Sequence, residues 1–210
     1  MKDQVLVEIL KLISKKLIEN EKLLTDLDSQ IEDGDCGSGI KRGFEAVIKM
    51  LDSTKDMNIG ECLKKVGFTL ASTIGGTSGA VLGTGFMELG KTLQEIEDPS
   101  LKDWAAASRS ALEKVKMRGE NTKIGDKTLV DALEPAVNKM NEYVEKGNKD
   151  IREMLESACE EAKKESESTK DIIAKKGRVS YLGERAIGKI DPGSVVICLM
   201  FEAALSYYKK

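Results

Sequence analysis

Leu27-Asp28-Ser29-Gln30-Ile31-Glu32-Asp33-Gly34-Asp35-Cys36-Gly37-Ser38-Gly39 sets three aspartates beside three glycines where two amphipathic patterns meet. Carboxylates this close repel one another, strongly so at about 4 Å once water is thinned out, unless a cation lies between them. Aspartate oxygens with no histidine or cysteine at ligand spacing favour a hard ion, so the metal expected is magnesium rather than zinc or copper. Gly34, Gly37 and Gly39 let backbone N–H groups point inward with no Cβ in the way, which is how a chain cradles phosphate. Metal and phosphate together indicate a nucleotide. Asp33-Gly34-Asp35 also reads as an ordinary turn between helices. A calcium loop does not fit: counted from Asp33 its last ligand position is Phe44, and counted from Asp28 it is Gly39.

On the N-terminal side Val5, Leu6, Ile9, Leu10, Ile13, Leu17 and Ile18 recur at three- and four-residue spacing, the stripe of an amphipathic helix. Leu23, Leu24 and Leu27 continue it after a break, which puts Asp28 in the last helical turn before the glycine loop. An aspartate there faces the unfavourable end of the helix dipole and calls for a compensating cation; it reads equally well as a solvated surface carboxylate. On the C-terminal side Ile40, Phe44, Val47, Ile48 and Leu51 form the next stripe. Ser38 or Gly39 lies near its start, where a phosphate would meet free N–H groups.

A third stripe, Ile59, Leu63, Val66, Leu70 and Ile74, ends in Gly75-Gly76-Thr77-Ser78-Gly79-Ala80. These hydroxyls and the helix start after them offer donors to an anion, and Thr77 or Ser78 acting as a plain N-cap explains the same residues. Trp104, Ala105, Ser108, Leu112 and Val115 mark a helix ending at Arg118-Gly119. After a polar loop, Thr128 and Asp131 have the spacing of a capping box, with Lys127 beside them as a candidate to reach a phosphate. The charged run Glu160–Glu167 reads as a solvated helix face. Gly177–Arg185 reads as a non-helical loop in which Arg178 suits either phosphate or surface pairing with Glu184. Asp191-Pro192-Gly193 opens a last helix with an aspartate cap and proline at its first position.

Period-two alternation is nearly absent, so the fold expected is all-α: about eight helices in an antiparallel up-and-down barrel or bundle. The special loops at 32–39, 75–79, 119–128 and 177–193 fall mostly at every second junction. Alternate junctions of an antiparallel array share an end, so acidic, hydroxyl and arginine loops meet on one rim.

Length and charge narrow the rest. The 210 residues suit a single domain spanning 1–210. A formal charge of -3 and a pI near 5.4 argue against nucleic acid or an anionic membrane as partner. Four scattered cysteines without a Cys-x-x-Cys motif, and no cleavable apolar N-terminus, point to a reducing cytoplasmic setting. The longest apolar run, Val195–Phe201, is too short to span a bilayer. Histidine is absent, so any step needing imidazole belongs to a partner.

Four motifs in order, Leu-Asp-x-x-Ile-x-Asp-Gly-Asp-x-Gly (27–37), Gly-Gly-Thr-Ser-Gly (75–79), Gly-Asp-Lys-Thr (125–128) and Gly-Arg-x-Ser-Tyr-Leu-Gly-Glu-Arg followed by Asp-Pro-Gly (177–193), resemble those of the L subunits of dihydroxyacetone kinases over nearly the whole chain. The resemblance implies an eight-helix barrel holding ADP or ATP through two magnesium ions at one end. It implies Asp28, Asp33 and Asp35 as metal ligands. It also implies nucleotide contacts from Cys36, Gly37, Ser38, Gly39, Thr77, Ser78, Gly119, Leu129, Arg178, Asp191, Pro192 and Gly193. The partner implied is a K subunit that binds dihydroxyacetone, or a related short ketose, through its own histidine. In phosphotransferase-system versions a phosphohistidine M subunit rephosphorylates the bound ADP; free ATP is the other donor. Cys36 and Glu32 stand where the family usually has histidine and glycine. Those two departures favour a rival expectation, a nucleotide-binding regulator that docks on a transcription factor or kinase without turnover.

Overall fold

The computed structural model describes residues 3–54 and 57–209. Within them run nine α-helices: α1 (Asp3–Glu19), α2 (Glu21–Asp28), α3 (Cys36–Leu51), α4 (Ile59–Thr73), α5 (Gly76–Leu93), α6 (Leu101–Arg118), α7 (Val130–Glu145), α8 (Ile151–Ser168) and α9 (Pro192–Tyr208). Two 3-10 segments, Thr169–Asp171 and Arg178–Ala186, lie between α8 and α9. No strand occurs among the described residues.

Local signals set the helix ends. Asn58 and Glu61 form a capping box before α4, and Ser100 with Asp103 does the same before α6. Asp150 accepts the N–H groups of Arg152 and Glu153 at the start of α8. The first amphipathic stripe breaks at Asn20, whose side chain donates to the Lys16 carbonyl (2.7 Å) and splits α2 from α1.

Helices pack in chain order: α1 on α3, then α3 on α4 and so on to α8 on α9, and α9 back on α1. Eight helices therefore close a ring, and α2 folds against α3 and α9 as the extra piece. The antiparallel sense is clear where Gly60, early in α4, lies against Gly90 and Gln94 at the end of α5, and side-chain links join the neighbouring helices. Ser110 donates to Glu88 (2.8 Å) between α6 and α5, and Arg109 to Asn138 (2.7 Å) between α6 and α7. Ser166 meets Ser194 (2.7 Å) between α8 and α9.

Leu10, Leu17, Phe44, Val66, Leu70 and Leu112 are buried in the barrel wall, each such side chain contributing roughly 1.5–3 kcal/mol by leaving water. Inside the ring an apolar cavity of about 220 Å³ remains, bordered by Ile9, Leu82, Phe86, Trp104, Met140 and Phe201. The Trp104 Nε1 is buried there without a hydrogen-bond partner. The closest seam is α4 on α5, where a Cβ on Gly67 would lie 2.6 Å from the Gly83 carbonyl and one on Gly83 would meet the Gly67 carbonyl at the same distance. No described helix is long and apolar enough to cross a membrane.

Candidate functional site

The antiparallel order gathers the N-termini of α3, α5, α7 and α9 and the C-termini of α4, α6 and α8 at one end. The expected rim is therefore present, and side chains tie it together.

At its centre Asp28, Asp33 and Asp35 bring carboxylate oxygens within 4.8 Å of one another. Asp28, at the end of α2, is buried, whereas Asp33 and Asp35 are exposed. The Asp28 carboxylate accepts the Cys36 N–H (3.1 Å), which fastens the end of α2 to the start of α3. Burial, and then the charges of Asp35 and Asp33, push the Asp28 carboxyl above its ordinary range, with the Cys36 N–H acting against them. Three oxygen donors that crowd and repel in this way fit a hard divalent cation. The Cys36 thiol beside them is raised to about 12, chiefly by burial and then by the charge of Asp28.

Two helix N-termini flank the acidic pocket. Ser38 donates to the Asp35 carbonyl (2.9 Å) in the first turn of α3. Gly37 and Gly39 are buried and allow close packing: a Cβ on Gly37 would sit 2.2 Å from the Glu21 carbonyl. The hydroxyl loop corrects one expectation, since neither Thr77 nor Ser78 caps α5. The N-cap is Gly75, at φ 84 and ψ 171, and Gly76 follows at φ 56. These left-handed values swing the chain round so that Thr77 and Ser78 occupy the exposed first turn. Arg42 of α3 holds the end of α4, just ahead of the α5 N-terminus, by donating to the carbonyls of Thr73 (2.7 Å) and Ile74 (2.6 Å). It had no signature in sequence, because its acceptors are backbone atoms 31 and 32 residues away.

The loop before α7 contains two more corrections. Thr128 and Asp131 form half of the expected capping box, with the Asp131 carboxylate reaching back to the Thr128 N–H (2.7 Å) but the Thr128 hydroxyl taking the Val130 N–H (3.2 Å) in place of that of Asp131. Asp131 also accepts from the Gly125 N–H (2.6 Å). Lys127 does not reach toward a phosphate position; it is buried, and its ammonium donates to backbone carbonyls of the 169–189 segment. Gly119 caps α6 next to Thr122, which meets Thr128 (3.1 Å), and so stays joined to Leu129 through this loop. Leu129 faces Gly193, where an added Cβ would lie 3.3 Å from its own Cβ.

Residues 178–186 form 3-10 turns kinked at Gly183 (φ 56, ψ -129) rather than the open loop expected from their glycines. Arg178 pairs with Asp33, not with Glu184, and the Val179 N–H donates to Glu32 (3.2 Å). Glu32 is thus engaged by the arginine loop, and burial raises its carboxyl above the ordinary value. Asp191 caps α9 through the Ser194 N–H (2.6 Å), with Pro192 next, as expected; it is buried and spends its carboxylate on that cap.

Fold and rim define an all-helical barrel that collects carboxylates and helix N-termini at one mouth. The chain belongs to the DAK2 domain family, whose model matches residues 30–206. It is 34% identical over 191 residues to the "PEP-dependent dihydroxyacetone kinase 1, ADP-binding subunit DhaL" of Listeria innocua, covering 91% of this chain and 89% of that one. With the corresponding ADP-binding subunit of Escherichia coli it shares 37% over 179 residues, 85% of this chain and 84% of the relative. Against the "Probable dihydroxyacetone kinase" of Dictyostelium discoideum it is 35% identical over 98% of its length but spans only 33% of that protein. The crystal structure of the dihydroxyacetone kinase from C. freundii in complex with AMP-PNP and Mg2+ superposes with a TM-score of 0.75 at 22% identity, covering 98% of this chain and 34% of that one, and has the same fold.

Proposed function

We propose that this chain is the nucleotide-binding subunit of a dihydroxyacetone kinase, which passes a phosphoryl group to dihydroxyacetone or a related short ketose held by a K subunit. The observation that carries this reading is the convergence of three carboxylates with the N-termini of α3 and α5 on one rim. Relatives of matching length are named as ADP-binding subunits of PEP-dependent dihydroxyacetone kinases, which supports ADP as a retained coenzyme recharged by a phosphohistidine M subunit.

In this reading Asp28, Asp33 and Asp35 hold magnesium, two ions as the family resemblance implies, and the metal supplies the positive charge that phosphate oxygens need. Gly37, Ser38 and residues 76–78 present backbone N–H groups to the phosphates, with hydroxyls from Thr77 and Ser78, while the Cys36 and Gly39 N–H groups, held by Asp28 and the Asp35 carbonyl, shape the loop around them. Gly119, Leu129 and Asp191–Gly193 shape the wall for the rest of the nucleotide, and Arg178, paired with Asp33, adds a positive charge at the mouth. The chain supplies position and charge, and with no histidine it offers no imidazole to carry the phosphoryl group. Deprotonating the ketose hydroxyl falls to the K subunit.

The outer surface supports docking at this end. Exposed large apolar side chains include Met117, Ile124, Ile173, Tyr181 and Ile187, all on rim loops or helix ends, with Tyr181 87% exposed. Glu32, one motive for a regulator without turnover, is held by the Val179 N–H and half-buried rather than projecting into the phosphate path. Calorimetry with ADP in the presence and absence of magnesium tests the reading. Asp33→Ala is expected to abolish magnesium-dependent ADP binding; unchanged binding would reject the metal assignment.

A further inference from the structure

Lys127 is the only buried lysine or arginine among the described residues, with 1% of its surface exposed. Its ammonium donates to the carbonyls of Thr169 (2.7 Å), Ala186 (2.8 Å), Lys189 (2.5 Å) and, more weakly, Ile172 (3.3 Å). Four oxygens thus converge on a group with three protons. A buried cation is costly unless such a cage replaces its water. Its backbone lies at φ 61, an unusual left-handed conformation for lysine that aims the side chain inward.

All four acceptors belong to one segment, 169–189, which leaves α8, travels out to Arg178 and returns to α9. The Gly188 N–H closes the neck of this excursion on the Lys170 carbonyl (2.7 Å), and the Lys175 N–H bonds the Asp126 carbonyl (3.1 Å) beside Lys127. At its tip Arg178 pairs with Asp33 and the Val179 N–H with Glu32. Anything that loosens the neck therefore shifts the arginine relative to the acidic pocket.

We infer that Lys127 is a positioning residue, its ammonium pinning the neck of the 169–189 excursion so that Arg178 meets the acidic loop in a fixed register. It acts through Arg178 and touches neither metal nor phosphate, since reaching out would strip four carbonyls of their donor. One of the two readouts below rests on the nucleotide reading above; the other does not.

The experiment compares the full chain with Lys127→Met, Arg178→Ala and the double variant, by ADP calorimetry with magnesium and by amide hydrogen exchange. Lys127→Met is expected to speed exchange across 172–187 while α4 and α5 keep their protection. It is also expected to weaken ADP binding about tenfold, the loss of a charge-assisted anchor. The double variant should bind no more weakly than Arg178→Ala alone, because the two changes act on one contact. Parent-like exchange in Lys127→Met, or additive losses in the double variant, would overturn the inference. A parent chain that binds no ADP counts against the nucleotide reading, and exchange then decides Lys127 by itself. Should Lys127→Met not fold, Gly188→Ala strains the same neck from outside at φ 82 with no atom within 4 Å of the new methyl. Unchanged exchange across 172–187 in that variant overturns the inference equally.

Discussion

Asp191 shows how one residue serves the barrel at an electrostatic cost. Its carboxyl is pushed up to about 7, burial first, with the Ser194 N–H and Lys127 acting against the rise and Asp131 and Glu32 adding to it. Between its ordinary value of 3.8 and about 7, the unfolded chain gives up a proton that the folded chain keeps. This group therefore takes stability away as pH climbs through that window. Asp191→Asn keeps an oxygen for the Ser194 N–H and removes the ionisation. Its stability relative to the parent, from urea unfolding, is expected to improve from pH 4 to pH 7 by about 1–3 kcal/mol. A difference that does not change with pH would contradict this. Cys36 is the opposite case. It stands where the family resemblance leads one to expect histidine, yet its contribution here is a backbone N–H to Asp28, which any residue but proline would supply.

Among the elements, the α4–α5 seam bears the tightest constraint. Each of Gly67 and Gly83 sits against the other's carbonyl, so a methyl on Gly67 meets backbone that cannot step aside. Gly67→Ala is expected to lower stability by about 1–3 kcal/mol in thermal melts, and a neutral result would mean that the two helices slide apart freely. Helix ends governed by local chemistry were legible in sequence only in part. α9 begins at the aspartate–proline pair as expected, whereas the Asn58 and Ser100 caps that open α4 and α6 were not singled out in the sequence. The rim was legible too, because junction parity follows from helix count. Less legible were features made by contacts distant in sequence. The acceptors of Lys127 lie 42 to 62 residues away, and Arg178 reaches Asp33 across 145. Local spacing suggests a phosphate for Lys127 and either a phosphate or Glu184 for Arg178.

At the scale of the whole molecule, the barrel is a ring of seams around an incompletely filled interior. The Trp104 indole N–H points into apolar surroundings without a partner, so its removal deletes a cost along with some packing. Trp104→Phe is therefore expected to change stability by no more than about 1 kcal/mol, against the roughly 3–5 kcal/mol typical of deleting a buried aromatic outright. A loss near the upper figure in chemical denaturation would show that the indole N–H has a partner after all.

Trp104 is also the chain's single tryptophan, and it borders the cavity rather than the mouth. Excited near 295 nm, where indole alone absorbs appreciably, the protein carries an intrinsic optical probe of its interior, with no competing indole elsewhere. Emission that stays fixed while ADP and magnesium are titrated would mean the mouth fills without disturbing the wall. A spectral shift would record strain carried down the length of a helix.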